Sequence, residues 1–376
     1  MKLFTFTRFA LCVLCGASIP LLIPGLAAAG WFPQTSGTTI WLSSVHFPVD
    51  AQTGYVVGDA GTILKTTNGG TNWVAQTSGT TRELYWIHFP VSAQTGYAVG
   101  AIGAILKTTN GGAAWVSQTS GTGNNLRSVY FPVDVLTGYA VGGGGIIRKT
   151  TNGGVNWDSL TSGTNNQLRS VYFPVDALTG YAVGWPGIIL KTANGGANWT
   201  TQYLDSTKYL FSVHFPLNTS TGYAAGWPGA ILKTVNGGAN WVGQSTGTPN
   251  YLFSIHFPVD ASTGYAVGDT GTILKTTNGG AAWITQSSGT TWGLYSVHFP
   301  VNALTGYAVG RGGTILKTTD GGGVWVEEEN KGFEGSRVQG FKITPNPFTS
   351  FATLPGHEGE RFSLYDVSGR LIGTYR

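Results

Sequence analysis

Five histidines occupy one recurring place in this chain, His46, His88, His214, His256 and His298, and Tyr130 and Tyr172 stand at the same place elsewhere. A series of imidazoles in register invites a metal reading, because neutral imidazole is a common ligand. Tyrosine substitutes freely in the series, however, and each member falls in a different copy of a repeat. Hydrogen bonding within the fold is therefore the expected role. The carboxylates offer less. Asp50, Asp134, Asp176 and Asp260 share the position just after Phe-Pro-Val and read as turn formers, whereas Asp59, Glu83, Asp158, Asp205 and Asp269 lie off the repeat's template. Glycoside hydrolysis needs two carboxylates placed across a cleft. Asp59 and Asp269 share a repeat position but read as a solvated loop pair. Arg82, Arg127, Arg148, Arg169 and Arg311 are scattered, with no evident acid and tyrosine partners. Lys65 and its six counterparts read as solvated strand-end charges. Gly142 to Gly145 lie between two strands, without the helix that phosphate binding uses. No catalytic residue, metal ligand or cofactor is assigned, and the chain is not expected to be an enzyme.

The elements that carry these residues come from one repeat. Asn68, Asn110, Asn152, Asn194, Asn236, Asn278 and Asp320 follow one another at steps of 42 residues. The Phe-Pro pair keeps the same step from Phe47-Pro48 to Phe299-Pro300, as does Leu42 through Leu294. A strand-built repeat of ~40–45 residues has the length of one propeller blade. A helical solenoid of that period is disfavoured by the density of Gly and β-branched residues. The first copy reads as four strands: 42–47, ended by Pro48, then 54–58, 62–66, and a fourth opening at Trp73. Seven such units close into a ring that leaves only short edges. The expected fold is an all-β, seven-bladed β-propeller over residues 30–329.

The turn between the third and fourth strands is the clearest motif, Thr66-x-Asn68-x-Gly70-x-x-Trp73. The Asn side chain can bond backbone amides, Gly69 and Gly70 allow positive φ, and the Trp buries a large ring. Trp115, Trp157, Trp199, Trp241, Trp283 and Trp325 repeat that anchor. This motif resembles the Asp-box (BNR) repeat of sialidase-like propellers, with Asn in six copies and Asp only at Asp320. Joined to Leu-x-x-Val-x-Phe and Gly-Tyr-Ala-Val-Gly-x-x-Gly-x-Ile-Leu-Lys-Thr, the unit resembles the photosystem II assembly-factor family of seven-bladed propellers over residues 31–325. The resemblance implies a non-enzymatic binding or assembly protein. The sialidase arginine triad is not matched.

Variation between copies is confined to the connection between blades with the start of the first strand, and to the turn between the second and third strands. Alternating strand directions put both on one face. The residues there are Trp41, Arg82, Tyr85, Arg127 and Arg169, then Trp185, Tyr209, Phe211, Trp227 and Tyr251, then Phe253, Trp292, Tyr295 and Arg311. Aromatic and Arg enrichment suits a protein or glycan ligand. Against this, Tyr85, Phe211, Phe253 and Tyr295 share one strand position and could simply pack between blades.

The ends are distinct. Lys2 and Arg8 precede an uncharged run closed by Ala27-Ala28-Ala29, which reads as an export leader cleaved before Gly30. A retained membrane anchor is the rival, opposed by Pro20 and Pro24. Both cysteines, Cys12 and Cys15, fall in the leader, so the mature chain has no disulfide. The expected product is a monomer that is periplasmic, secreted or surface-attached, with no membrane span. After a charged linker (330–339), Ile343-Thr344-Pro345-Asn346-Pro347-Phe348 and Leu364-Tyr365-Asp366-Val367-Ser368-Gly369 resemble the type IX secretion sorting domain, so a partial β domain is expected at 340–376. Charged residues are 10% where ~25% is ordinary, and the net charge of +4 is dispersed, which excludes a nucleic-acid groove. Finally, residues 31–39 copy 73–81, and Trp31 lies seven repeat lengths before Trp325. Residues 31–36 are expected to pair with the seventh blade, beside or instead of its own fourth strand.

Overall fold

The computed structural model describes residues 30–323 and two further strands, Phe362–Tyr365 and Leu371–Tyr375, which pair antiparallel. The linker, Trp325 and most of the proposed sorting segment lie outside the described residues, as does the leader. Residues 30–323 form seven four-stranded antiparallel sheets, the blades of a β-propeller. Blade 1 runs Leu42–His46, Gly54–Gly58, Ile63–Thr66 and Val74–Gln76 from the axis outward. Three bounds fall one residue inside the sequence expectation. Phe47 leaves the innermost strand because its ring turns into the gap between blades, and Trp73 does the same before the outermost strand begins.

The core is seven wedges between blades, not one central mass. The wedge between blades 7 and 1 holds Leu42, Val45, Phe47, Val56, Leu64 and Trp73 against Tyr307, Val309 and Ile315. Within it Phe47 stacks on Tyr307 at 4.0 Å between centroids and meets Trp73 edge-on at 6.0 Å. A Cβ on Gly54 would stand 2.4 Å from the Phe47 ring, which is why each second strand opens with glycine.

Polar groups clasp the same wedges. The Tyr55 hydroxyl donates to Ala93 O (2.9 Å) and Gly111 O (3.0 Å), and Lys65 Nζ donates to Gly111 O at 2.7 Å. The Lys row is therefore not a set of solvated charges, as the sequence reading has it. Each ammonium ties one blade to the turn of the next. Such contacts cannot be read locally, because the partner lies 46 residues away.

The ring closes through the N-terminal segment as expected, while blade 7's own fourth strand, from Trp325, lies outside the described residues. Phe32–Gln34 pairs with Ile315–Thr318 and is the outermost strand of blade 7 among the described residues. Its register, Phe32 opposite Lys317 and Gln34 opposite Ile315, reproduces Val74 opposite Lys65 and Gln76 opposite Ile63 in blade 1. Trp31 packs edge-on to Phe299 at 5.8 Å, in the role Trp73 plays for Phe47. Among the described residues no helix is long and apolar enough to cross a membrane.

Candidate binding face

Each innermost strand carries the same defect near its start. Pairing slips between Leu42 and Ser44, and between the corresponding residues of all six other blades. A bulge leaves one residue unpaired and re-aims its side chain. The residues so released are Ser43, Tyr85, Arg127, Arg169, Phe211, Phe253 and Tyr295. They form a tier around the mouth of the axial channel. The Arg127 guanidinium lies 4.0 Å from the Tyr85 ring centre, and Arg169 lies 5.5 Å from Phe211. Phe211 meets Phe253 at 5.3 Å, and Phe253 meets Tyr295 at 5.2 Å.

The tier extends outward on two sides. Through blades 4 to 6, Trp185 meets Tyr209 at 5.5 Å, Tyr209 meets Trp227 at 5.2 Å, and Trp227 meets Tyr251 at 5.6 Å. Tyr251 in turn touches Phe253 at 5.8 Å. At the blade 7 to 1 junction, Arg311 sits 4.6 Å from Trp41 and 5.1 Å from Trp292, while Trp41 meets Tyr295 at 6.1 Å. These contacts join eleven of the fourteen residues marked by sequence variation, from Arg169 round to Trp292, and Tyr85 with Arg127 forms a separate pair on the adjoining blades. Arg82 stands apart, donating to Ile102 O at 3.2 Å. Packing among Phe211, Phe253 and Tyr295 is real, but it runs around the channel mouth and not inside the wedges, and Tyr85 packs under Arg127 instead. The loops come together because the turn at Asp59 donates its N–H to Trp41 O, and Ala101 N–H donates to Glu83 O.

Two guanidiniums dominate the electrostatics. Arg127 and Arg169 have buried Nε atoms with no hydrogen-bond partner. Burial, then the neighbouring Arg127, lowers Arg169 to about 10. Among the described residues the only ion pair is Lys208 with Asp205, at the outer edge of the blade that carries Arg169. Arg127 does have the tyrosine the sequence reading did not find. Tyr85 lies under it and donates its hydroxyl to Glu83 Oε2. Burial first, then that bond, pushes Tyr85 to about 12, so the phenol is protonated at neutral pH. Arg148 instead donates to Gly121 O at 2.6 Å, so no arginine triad assembles here. Glu83, set aside as an off-template acid, belongs to the site by this contact. Burial and Glu83 also raise Asp59. Asp269 turns to its own loop, accepting from Thr270 N–H. The hollows on this face, along Gln76–Arg82 and Gln286–Trp292, are shallow and open. Such a surface suits an extended chain better than a small substrate.

Toward the other face, the His and Tyr series forms a closed ring about the axis. Neighbouring centroids are 4.8 to 5.1 Å apart from His46 through His88, Tyr130, Tyr172, His214, His256 and His298 back to His46. Backbone N–H groups of Phe47, Phe89, Phe257 and Phe299 donate to Nδ1 of His298, His46, His214 and His256, each at 3.3 Å. Those Nδ1 lone pairs are therefore spent on the next blade, which fits the hydrogen-bonding role and opposes ligation. Burial lowers His88 to about 4 and His214 to about 3.

The Asp-box residues are structural. Asn68 Oδ1 accepts from Thr66 Oγ1 and from Asn72 N–H, both at 3.0 Å, and Thr66 Oγ1 accepts from Gly70 N–H. Asn110, Asn152, Asn194, Asn236 and Asn278 repeat this. Asp50 forms a turn as read, its Oδ1 accepting from Gln52 and Thr53 N–H.

The sequence profile of the family described as photosynthesis system II assembly factor YCF48 matches residues 24–117, 76–168, 158–249 and 243–331. No curated protein matches the chain. Among solved structures, YCF48 from Cyanidioschyzon merolae is similar at 19% identity and TM-score 0.65, covering 77% of this chain and 99% of its own. A YCF48 bound to D1 peptide gives 20% and 0.65, covering 81% and 99%. The GH74 enzyme of Niastella koreensis gives 18% and 0.61, covering 77% of this chain and 54% of its own. These likenesses establish a shared propeller architecture.

Proposed function

The chain belongs to the photosynthesis system II assembly factor YCF48 family, and on that footing we propose that it is an exported, non-enzymatic propeller that holds a protein segment against its variable face. The observation that carries this reading is the Arg127 and Arg169 pair: two cations at the channel mouth, backed by Tyr85 and Phe211. A carboxylate accepts charge-assisted, often bidentate hydrogen bonds from a guanidinium. An acidic peptide side chain or terminus supplies that group, and the aromatic crescent beside it supplies apolar contact. A related YCF48 that binds a peptide supports the same class of ligand.

A second reading follows from the crescent itself. Trp185, Tyr209, Trp227 and Tyr251 present ring after ring, as a glycan platform does. Pull-down from envelope extract with the propeller, followed by mass spectrometry, separates these readings when run with two variants. Loss of a protein partner in Arg127→Ala/Arg169→Ala supports the proposal. Retention of that partner in both this variant and Trp185→Ala/Trp227→Ala removes the face from consideration. Binding on a glycan array that Trp185→Ala/Trp227→Ala alone abolishes favours the glycan reading.

A further inference from the structure

Box seven differs from the other six in composition and in connectivity. In boxes one to six the fourth residue after the Asn donates its N–H to the Asn Oδ1, as Asn72 does to Asn68. In box seven a donor comes from the opposite end of the chain. Gly30 N donates to Asp320 Oδ1 at 3.1 Å and to Oδ2 at 2.9 Å. Trp31 follows it as Trp73 follows Asn72, so Gly30 stands at the equivalent place in the repeat. The turn itself is intact, since Thr318 Oγ1 donates to Asp320 Oδ1 and Gly322 N–H to Thr318 Oγ1.

Why this box alone carries a carboxylate needs a cause. The neighbouring lysine does not supply it, because every blade has one. Lys317 donates to Gly69 O beside Asn68 just as Lys275 donates to Gly321 O beside Asp320. What sets box seven apart is the donor, Gly30, which stands directly after Ala27-Ala28-Ala29. One amide hydrogen serves two carboxylate oxygens poorly. An ammonium, with three hydrogens and a charge, serves both well.

We propose that the chain is cleaved between Ala29 and Gly30, and that the α-ammonium so created pairs with the Asp320 carboxylate to latch the ring. Water is the co-reactant, and an endopeptidase selective for small residues is the agent. The Ala29 carbonyl gains the hydroxyl and leaves as a carboxylate, while the Gly30 nitrogen takes protons and becomes the ammonium. Gly30 is buried in the closed ring, so cleavage comes before the first strand docks. Ring closure is thereby tied to processing. Asn at this position, adequate for a neutral amide donor, would turn its own NH2 toward a cation or leave the charge unanswered. This inference rests on the proposed export and is independent of the ligand reading.

Intact mass of the exported full-length product gives the first test, and Gly30 is the expected first residue. The second compares chains starting at Gly30 or at Ala27, produced by tag removal, each with Asp320 or with Asp320→Asn. In the Gly30 background Asp320→Asn should lower the melting temperature by about 2–4 °C, the shift of roughly 1 kcal/mol in a domain of this class. In the Ala27 background the same change should have less than half that effect. A retained leader, or a start at any residue other than Gly30, overturns the latch, and absence of the product from the exported fraction overturns the export. A Gly30 start with equal effects of Asp320→Asn in the two backgrounds overturns the latch alone.

Discussion

The axial rings are kept neutral by their surroundings, and that has a consequence for pH. His46, His256 and His298 are held well below the usual imidazole value, by burial first and by neighbouring imidazoles second. An unfolded imidazole titrates near 6.5. Below that pH the unfolded chain takes up protons that the native ring refuses, so the ring's contribution is complete above about 6.5 and declines as pH falls toward about 4. Protonation would also abolish the Nδ1 acceptors that hold Phe47, Phe257 and Phe299. The melting temperature should therefore fall steadily between pH 6.5 and 4. His214→Tyr, which copies Tyr172 beside it, should make that decline shallower, and an unchanged slope would show that His214 does not titrate with unfolding. Trp73, 9% exposed, anchors its wedge by packing alone, since its Nε1 has no partner. Trp73→Ala should cost about 3–5 kcal/mol in denaturant unfolding.

At the scale of the strand, the bulge decides what the variable face can be. A regular innermost strand would pair residue 43 and its counterparts and turn them with their neighbours. The slip frees them to gather at the channel mouth. Because Arg127 and Arg169 stand there with unpartnered Nε atoms, removing a guanidinium relieves a desolvation cost. Arg169→Leu should melt no lower than the parent while weakening partner binding, and a clear loss of stability would assign Arg169 to the scaffold instead. The clasps between blades behave in the opposite way. Tyr181 donates to Thr219 O at 3.2 Å and to Gly237 O at 2.9 Å. Tyr181→Phe should cost about 1–3 kcal/mol through the carbonyls left behind.

Over the whole molecule, stability depends on a contact between residues almost three hundred positions apart. The first strand completes blade 7, and Trp31 completes the wedge with Tyr265, Leu294 and Phe299. Without it, the edge of Ile315–Thr318 is bare and one wedge loses its Trp. Deleting residues 30–37 should therefore lower the melting temperature more than truncation after residue 335. Equal melting of the two would mean that the ring holds without its fastening strand.

The sequence alone settles the blade count, the turn chemistry and the site of closure. Each of these is written in spacing: seven boxes 42 residues apart, and a Trp31 segment that copies Trp73 with no blade of its own. It also marks the variable face, since alternating strand directions sort loops to one side or the other. What repeats cannot convey is contact across the gap between copies. Lys65 reads as a solvated charge because its acceptor, Gly111 O, belongs to the next blade. Arg127 reads as isolated because Tyr85 lies one repeat earlier, and the bulge that turns both toward the axis leaves no mark in composition. That Phe32–Gln34 takes the place next to Ile315–Thr318 is likewise a matter of register, accompanied by packing of Trp31 against Phe299. Local sequence fixes the fold of a blade, and only the closed ring fixes which side chains meet.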